Sequence, residues 1–185
     1  MTIEEIQKEV KEKLSSYRYD HSLRVAEEAK KLATHYHVDE KKAYVAGLLH
    51  DIAKELTEEE NKQWIETYHL PNELLKDENK NIRHADIGAA IAKEKYHLDD
   101  EICHAIQYHT IGNKKMDLLA KIIYIADKIG RKSIPDDLLP VKTLAYQNID
   151  QALLYCLEKQ EKKLQQKGFA MHPATKELLA SLKQQ

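Results

Sequence analysis

Apolar residues recur along most of this chain at intervals of three and four, the period of a helix with one buried face. Ile3, Ile6, Val10 and Leu14 make such a stripe on an otherwise charged first segment. His21, Val25, Ala29 and Leu32 share a face of a second helix over about 18 to 36, so His21 points with the core residues. Asp39 is a natural N-cap for a third helix running through AYVAGLLHDIAK, apolar nearly all round from Ala43 to Leu49 and therefore the most buried. Thr57 followed by Glu60 has the form of a capping box opening a short helix with Trp64, where Trp64 and Tyr68 read as packing at helical spacing. Pro71 and the polar run DENKN mark a loop.

From His84 the run ADIGAAIAKEKY predicts a helix whose first turn carries the histidine, with small residues that let a neighbouring backbone come close. Leu98 and Asp99 open a helix placing Ile102, Ile106 and His109 on one face and ending near Gly112. MDLLAKIIYIADKIG predicts a second strongly buried helix, with Leu119, Ile123 and Asp127 at successive spacings of four. A turn-rich RKSIPDDLLP leads to one or two helices over about 141 to 167 and a last one after Pro173. No segment alternates as a strand does, and Gly and Pro are scarce at five and four copies, so the fold class is all-α.

The chain has 185 residues, the size of one domain. Its 29 basic and 31 acidic residues are mixed along the sequence, which excludes a broadly basic, polynucleotide-binding surface. Cys103 and Cys156 are not paired in spacing and sit among apolar neighbours, so they read as packing residues rather than a redox or zinc pair. No apolar run approaches the length of a membrane span or a signal peptide, which makes the cytoplasm the expected location, without membrane partners.

Histidine and aspartate in apolar sequence are what a plain core does not explain. A buried, unpaired carboxylate is costly, and Asp127 needs a cation or a donor. Imidazole and carboxylate are both metal ligands, and a divalent cation offsets the desolvation of each. The sharpest local signal is LLHDIAK, whose adjacent His50 and Asp51 lie about 100° apart on a helix and can reach one metal or let Asp51 bridge two. His104 lies five residues before His109, roughly 140° away, and is left out. His35, His37, His69 and His97 fall at helix ends or polar joints, where surface or capping roles suffice.

An inward histidine, then His-Asp, then a distant aspartate resembles the HD-domain superfamily of metal-dependent phosphohydrolases. YDHSLRVAEEAKKLA, AGLLHDIAKEL, IRHADIGAAIA, AIQYHTIGNKKMDLLAKIIYIADKI and FAMHPAT together resemble, over nearly the whole chain, its YqeK-like family of symmetrical bis(5'-nucleosyl)-tetraphosphatases. The resemblance implies a single HD domain over 1 to 185, with a core of about 17 to 130 and C-terminal helices of about 141 to 185 packed on it. It implies His21, His50, Asp51 and Asp127 as metal ligands, with His84 and His109 holding a second metal or touching substrate. Asp51, Lys54, His84 and His109 are the implied catalytic set. His21, Arg24, Lys54, His84, His109, Thr110, Arg131, His172 and Thr175 are the implied substrate contacts.

The implied reaction is hydrolysis of diadenosine tetraphosphate to two ADP by a metal-activated water, with iron as the metal, or manganese or magnesium, as one or two ions. A homodimer is the implied assembly. The sequence departs from the family where IGRKSIP replaces an acidic residue and proline before an arginine, and where Thr175 lacks a following asparagine. Two other readings stay open: an HD phosphohydrolase acting on a nucleoside monophosphate or cyclic dinucleotide, and a nucleotide-binding regulator without turnover.

Overall fold

A computed structural model describes residues 1 to 184. Ten α-helices follow one another: α1 (Ile3–Lys13), α2 (Ser16–Tyr36), α3 (Glu40–Leu49), α4 (Glu58–Thr67), α5 (Arg83–Glu94), α6 (Asp100–Tyr108), α7 (Leu118–Ile129), α8 (Leu139–Gln147), α9 (Ile149–Gln166) and α10 (Pro173–Leu182). Three short 3-10 turns lie at Asn72–Leu75, Asp77–Asn79 and Asp136–Leu138, and there is no strand among the described residues. None of these helices is long and apolar enough to cross a membrane.

The helix starts are where local chemistry places them. Thr2 with Glu5 and Thr57 with Glu60 form complete capping boxes, and Asp39, Asp99, Asp117 and Asn148 accept from first-turn amides. Three histidines excluded from the site, His37, His69 and His97, take the left-handed backbone at positive φ, where the chain turns after α2, α4 and α5. The two strongly apolar helices, α3 and α7, are the centre: α2 packs on both, α6 packs on both, and α5 packs on α6. Gly47 is the point of closest approach of α3 to α2. A Cβ there would stand 2.7 Å from the Ala26 Cα, so only glycine lets the end of α3 lie so near His21.

One expectation fails in an informative way. α3 stops at Leu49, and His50 and Asp51 lie not on a continuous helix but in the tight turns after it. There Ile52 N donates to Leu49 O, Lys54 N to Asp51 O and Leu56 N to Ala53 O, a three-residue repeat. The cause is His50 itself. Its Nδ1 lies 2.7 Å from the Gly47 carbonyl, the acceptor that the Asp51 amide would take in a continuing helix. α6 likewise ends earlier than Gly112 suggests, at Tyr108, and there His109 Nδ1 lies 2.6 Å from the Ile106 carbonyl.

Both cysteines are buried, on α6 and α9, and burial pushes each thiol up to about 11, as packing residues require. Trp64 and Tyr68 stack on each other with ring centroids 4.7 Å apart.

Candidate metal centre

Five elements converge on one point. α2 supplies His21, the turn after α3 supplies His50 and Asp51, α5 supplies His84 in its first turn, the end of α6 supplies His109, and α7 supplies Asp127 in its last turn. The start of α2 is tied to the His50-Asp51 turn by Glu55, which accepts from the Ser15 amide at 2.7 Å and from its hydroxyl at 2.6 Å. His21, His50, His109 and His84 form an arc of edge-on imidazoles, each neighbouring pair of centroids 5.1 Å apart.

Asp51 sits in the middle of this arc and divides it. Its Oδ2 is 3.5 Å from His50 Nε2 and 3.9 Å from His21 Nε2. On the same side Asp127 Oδ1 is 3.2 Å from His21 Nε2 and 3.7 Å from His50 Nε2. The other oxygen of Asp51, Oδ1, is 3.3 Å from His84 Nε2 and 3.7 Å from His109 Nε2, which are 3.2 Å from each other. Thr110 Oγ1 joins this second side, 3.1 Å from His109 Nε2 and 3.3 Å from His84 Nε2.

These separations test whether a metal fits. Two donors about 2.1 Å from one ion stand roughly 3 to 4 Å apart, and both sides of Asp51 meet that spacing. A carbonyl can only accept, so Nδ1 of His50 and of His109 carries the proton and each Nε2 presents a lone pair to the centre. His50 Nε2 is fully buried and has no hydrogen-bond partner, a costly arrangement that a cation relieves. The trios His21, His50, Asp51 and Asp51, His84, His109 each gather donor atoms within 4.8 Å of one another. The donor set, imidazole nitrogen and carboxylate oxygen without thiolate, suits a divalent metal.

The electrostatics agree. Burial pushes the His50 and His84 imidazoles down to about 4, which keeps both neutral and able to coordinate near pH 7. Burial also opposes charge on Asp51, but the polar groups around it, His84 Nε2 at 3.3 Å from Oδ1 among them, outweigh it and hold the carboxyl well below its usual range. Asp127 is held low against burial by Lys128, whose Nζ is 2.7 Å from Oδ2, and by His21. Arg18 Nη1 donates to Asp51 Oδ2 at 2.7 Å.

The centre opens into a cleft of about 770 Å³. Of the sequence-derived candidates, His21, Arg24, Asp51, Lys54, His84, His109, Thr110, Asp127 and Arg131 line it, and His50 lies beneath them without exposure. Lys54 stands at the mouth with Nζ 3.2 Å from His84 Nδ1. Two candidates lie elsewhere. Thr175 is buried, and its hydroxyl donates to the Ile111 carbonyl at 2.6 Å, which staples α10 to the segment after His109. His172 is exposed and caps α10 by accepting from the Ala174 amide. Neither lines the cleft.

Two residues escaped the sequence reading. Arg18 precedes His21 by three and so shares its helix face, a signal that was present. Lys128 follows Asp127 directly, and nothing in the periodicity marks it as the partner of its neighbour.

Comparison with known proteins agrees with this geometry. The HD domain family model matches residues 18–132. A protein of Bacillus subtilis strain 168 named symmetrical bis(5'-nucleosyl)-tetraphosphatase is 36% identical over 167 residues, covering 90% of this chain and 89% of that one. Its namesake in Staphylococcus aureus is 42% identical over 79% of this chain and 75% of its own. The crystal structure of a predicted HD superfamily hydrolase involved in NAD metabolism, from Clostridium acetobutylicum, superposes with a TM-score of 0.91 at 32% identity, covering 100% of this chain and 98% of that one. The chain belongs to the HD-domain family, in the branch whose members carry the name symmetrical bis(5'-nucleosyl)-tetraphosphatase.

Proposed function

We propose that this enzyme cleaves diadenosine tetraphosphate symmetrically into two ADP, with His21, His50, Asp51 and Asp127 holding one divalent ion and Asp51, His84 and His109 holding a second. The observation that carries the reading is the shared carboxylate: each oxygen of Asp51 faces its own pair of imidazoles. The relatives that cover most of this chain are named for that activity. When bound, divalent ions acidify a water and offset charge on phosphoryl oxygens.

The chain's own residues do the rest. Asp51 fixes the distance between the two halves of the centre. Arg18, Arg24, Lys54, Lys128, Arg131 and Lys132 line the cleft against the two carboxylates of Asp51 and Asp127, so it attracts a polyphosphate although the chain's total charge is -2. Lys54, with three donors at the mouth, offsets charge on the phosphate being attacked. The Thr110 hydroxyl, between His84 and His109, is placed to meet a phosphate oxygen on the second side.

The same reading takes residues 1 to 185 as one domain. α8 and α9 pack on α7, α10 packs on α9, and Thr175 ties α10 back to Ile111; Gln185 lies outside the described residues. Iron as the metal, a homodimer and a cytoplasmic location come from the resemblance. Metal analysis and light scattering on purified protein test the first two.

Purified protein supplied in parallel with iron, manganese or magnesium should convert diadenosine tetraphosphate to ADP alone. AMP with ATP as products, or no turnover with any of the three, would falsify the symmetrical assignment. A panel including nucleoside monophosphates and cyclic dinucleotides then separates this reading from an HD phosphohydrolase of other specificity.

A further inference from the structure

A second cleft of about 750 Å³ opens beside the metal cleft and shares Arg24, Arg131 and Lys132 with it. We infer that this second cleft holds the nucleoside of one half of a dinucleoside polyphosphate, its base against Leu139 and Ile134 and its phosphate arm on the shared cations. The inference rests on the proposed substrate. That molecule has two equal halves, and a break at its centre puts one half on either side of the metals, so the second nucleoside needs room of its own. Pockets of some 300 to 1,000 Å³ suit ligands of this size.

The cleft is lined by cations, apolar side chains and carboxylates together, with Lys31 and Lys142 among the cations. At the junction Arg24 Nε donates to the Gly130 carbonyl at 3.1 Å, which fixes the guanidinium plane while its two terminal nitrogens donate to nothing among the described residues. Gly130 makes that junction possible. A Cβ there would meet Ala126 O at 2.8 Å and Val25 Cα at 3.0 Å, so glycine lets the Arg131-Lys132 segment lie against α2.

Beyond the cations, Leu23, Ile134 and Leu139 form an apolar wall. Leu139 is 53% exposed, and Tyr17, in the metal cleft, is 71% exposed. Thus each cleft presents one large apolar side chain to solvent, as two flat bases would require. Glu27 and Glu28 of α2 also line the second cleft, with Glu28 braced by Lys31 at 2.8 Å. Carboxylates repel phosphate but accept from ribose hydroxyls and from an exocyclic amine, so the nucleoside end belongs there and the phosphate end at Arg24, Arg131 and Lys132.

The test uses Leu139→Asp, an exposed position where the fold tolerates a charge, with Leu139→Met as the conservative control. Steady-state kinetics with diadenosine tetraphosphate are compared with inhibition by adenosine 5'-tetraphosphate, which has one nucleoside and can place it in the metal cleft. Leu139→Asp should raise KM for the dinucleotide about tenfold, the loss of one modest apolar contact, with kcat within twofold and the inhibition constant unchanged. Leu139→Met should restore the wild-type KM. An unchanged KM, or a KM and inhibition constant that rise together, overturns the second subsite. Wild-type protein that makes no ADP overturns the proposed substrate instead, so the two failures are told apart.

Discussion

The two sides of Asp51 use the same residue types and differ in what neutralises them. On the side of His21, His50 and Asp127 two carboxylates, paired with Arg18 and Lys128, face two imidazoles, and His50 Nε2 has no hydrogen-bond partner. On the side of His84 and His109 one carboxylate oxygen faces two imidazoles, with a hydroxyl from Thr110 and the ammonium of Lys54 close by. The first side gathers four candidate ligands, one of them a fully buried nitrogen lone pair without a hydrogen-bond partner, so it should take the first cation even with Arg18 and Lys128 beside its carboxylates. The second side, with three candidate ligands and with Lys54 and Thr110 close by, should take a second ion more weakly and is better placed to meet phosphate.

Asp51→Asn should have the largest effect, because it weakens both sides at once. An amide of the same shape leaves the packing intact, and turnover of diadenosine tetraphosphate should fall by at least ~10³-fold, the scale of losing a principal electrostatic element. Circular dichroism should match the wild type. Turnover within tenfold of wild type would remove Asp51 from its bridging place.

His50→Ala and His84→Ala sharpen the contrast between the sides. Loss of the buried His50 should weaken binding of the first ion by more than ~100-fold, beyond what loss of a mere orienting partner costs. His84→Ala should leave one tightly held ion per chain and remove only the weaker one. Elemental analysis after dialysis against a graded chelator reads both variants. Equal metal loss from the two would make the sides equivalent and end the comparison.

Much of this arrangement was legible in the sequence, and the rest was not for identifiable reasons. His21, His109 and Asp127 stand on apolar helical stripes, so periodicity alone turned them inward. His50 and Asp51 were found by their place in LLHDIAK, although the helix ends beneath them, because an imidazole that captures its own helix's carbonyl leaves no trace in a hydrophobic pattern. Thr175 and His172 stand out in the sequence only through a motif near the C-terminus. The staple to Ile111 and the cap on Ala174 depend on where α10 docks, which no spacing reports. Lys128 was invisible for a related reason: its partnership with Asp127 depends on side-chain conformations at adjacent positions.

The smallest effect concerns acid. Burial lowers the His50 and His84 imidazoles from 6.5 to about 4, so between those values the unfolded chain takes up protons that the folded metal-free protein refuses. Stability rises with pH wherever the unfolded state binds more protons, and hence these histidines stabilise the fold above pH 6.5 and lose that contribution as pH falls toward 4. Asp51 and Asp127, held low, act in the same direction once pH drops below their ordinary 3.8, whereas Asp86, which burial pushes up, acts against them. The histidines dominate the upper part of the window. Thermal unfolding of chelator-treated protein should therefore shift to lower temperature steadily from pH 7 downward. Metal-loaded protein should hold its unfolding temperature further into acid, because the same nitrogens must give up the ion before they can take a proton. The difference between the two curves isolates the centre from every other titrating group. Curves that run parallel across this range would mean that the imidazoles are not the groups the metal binds.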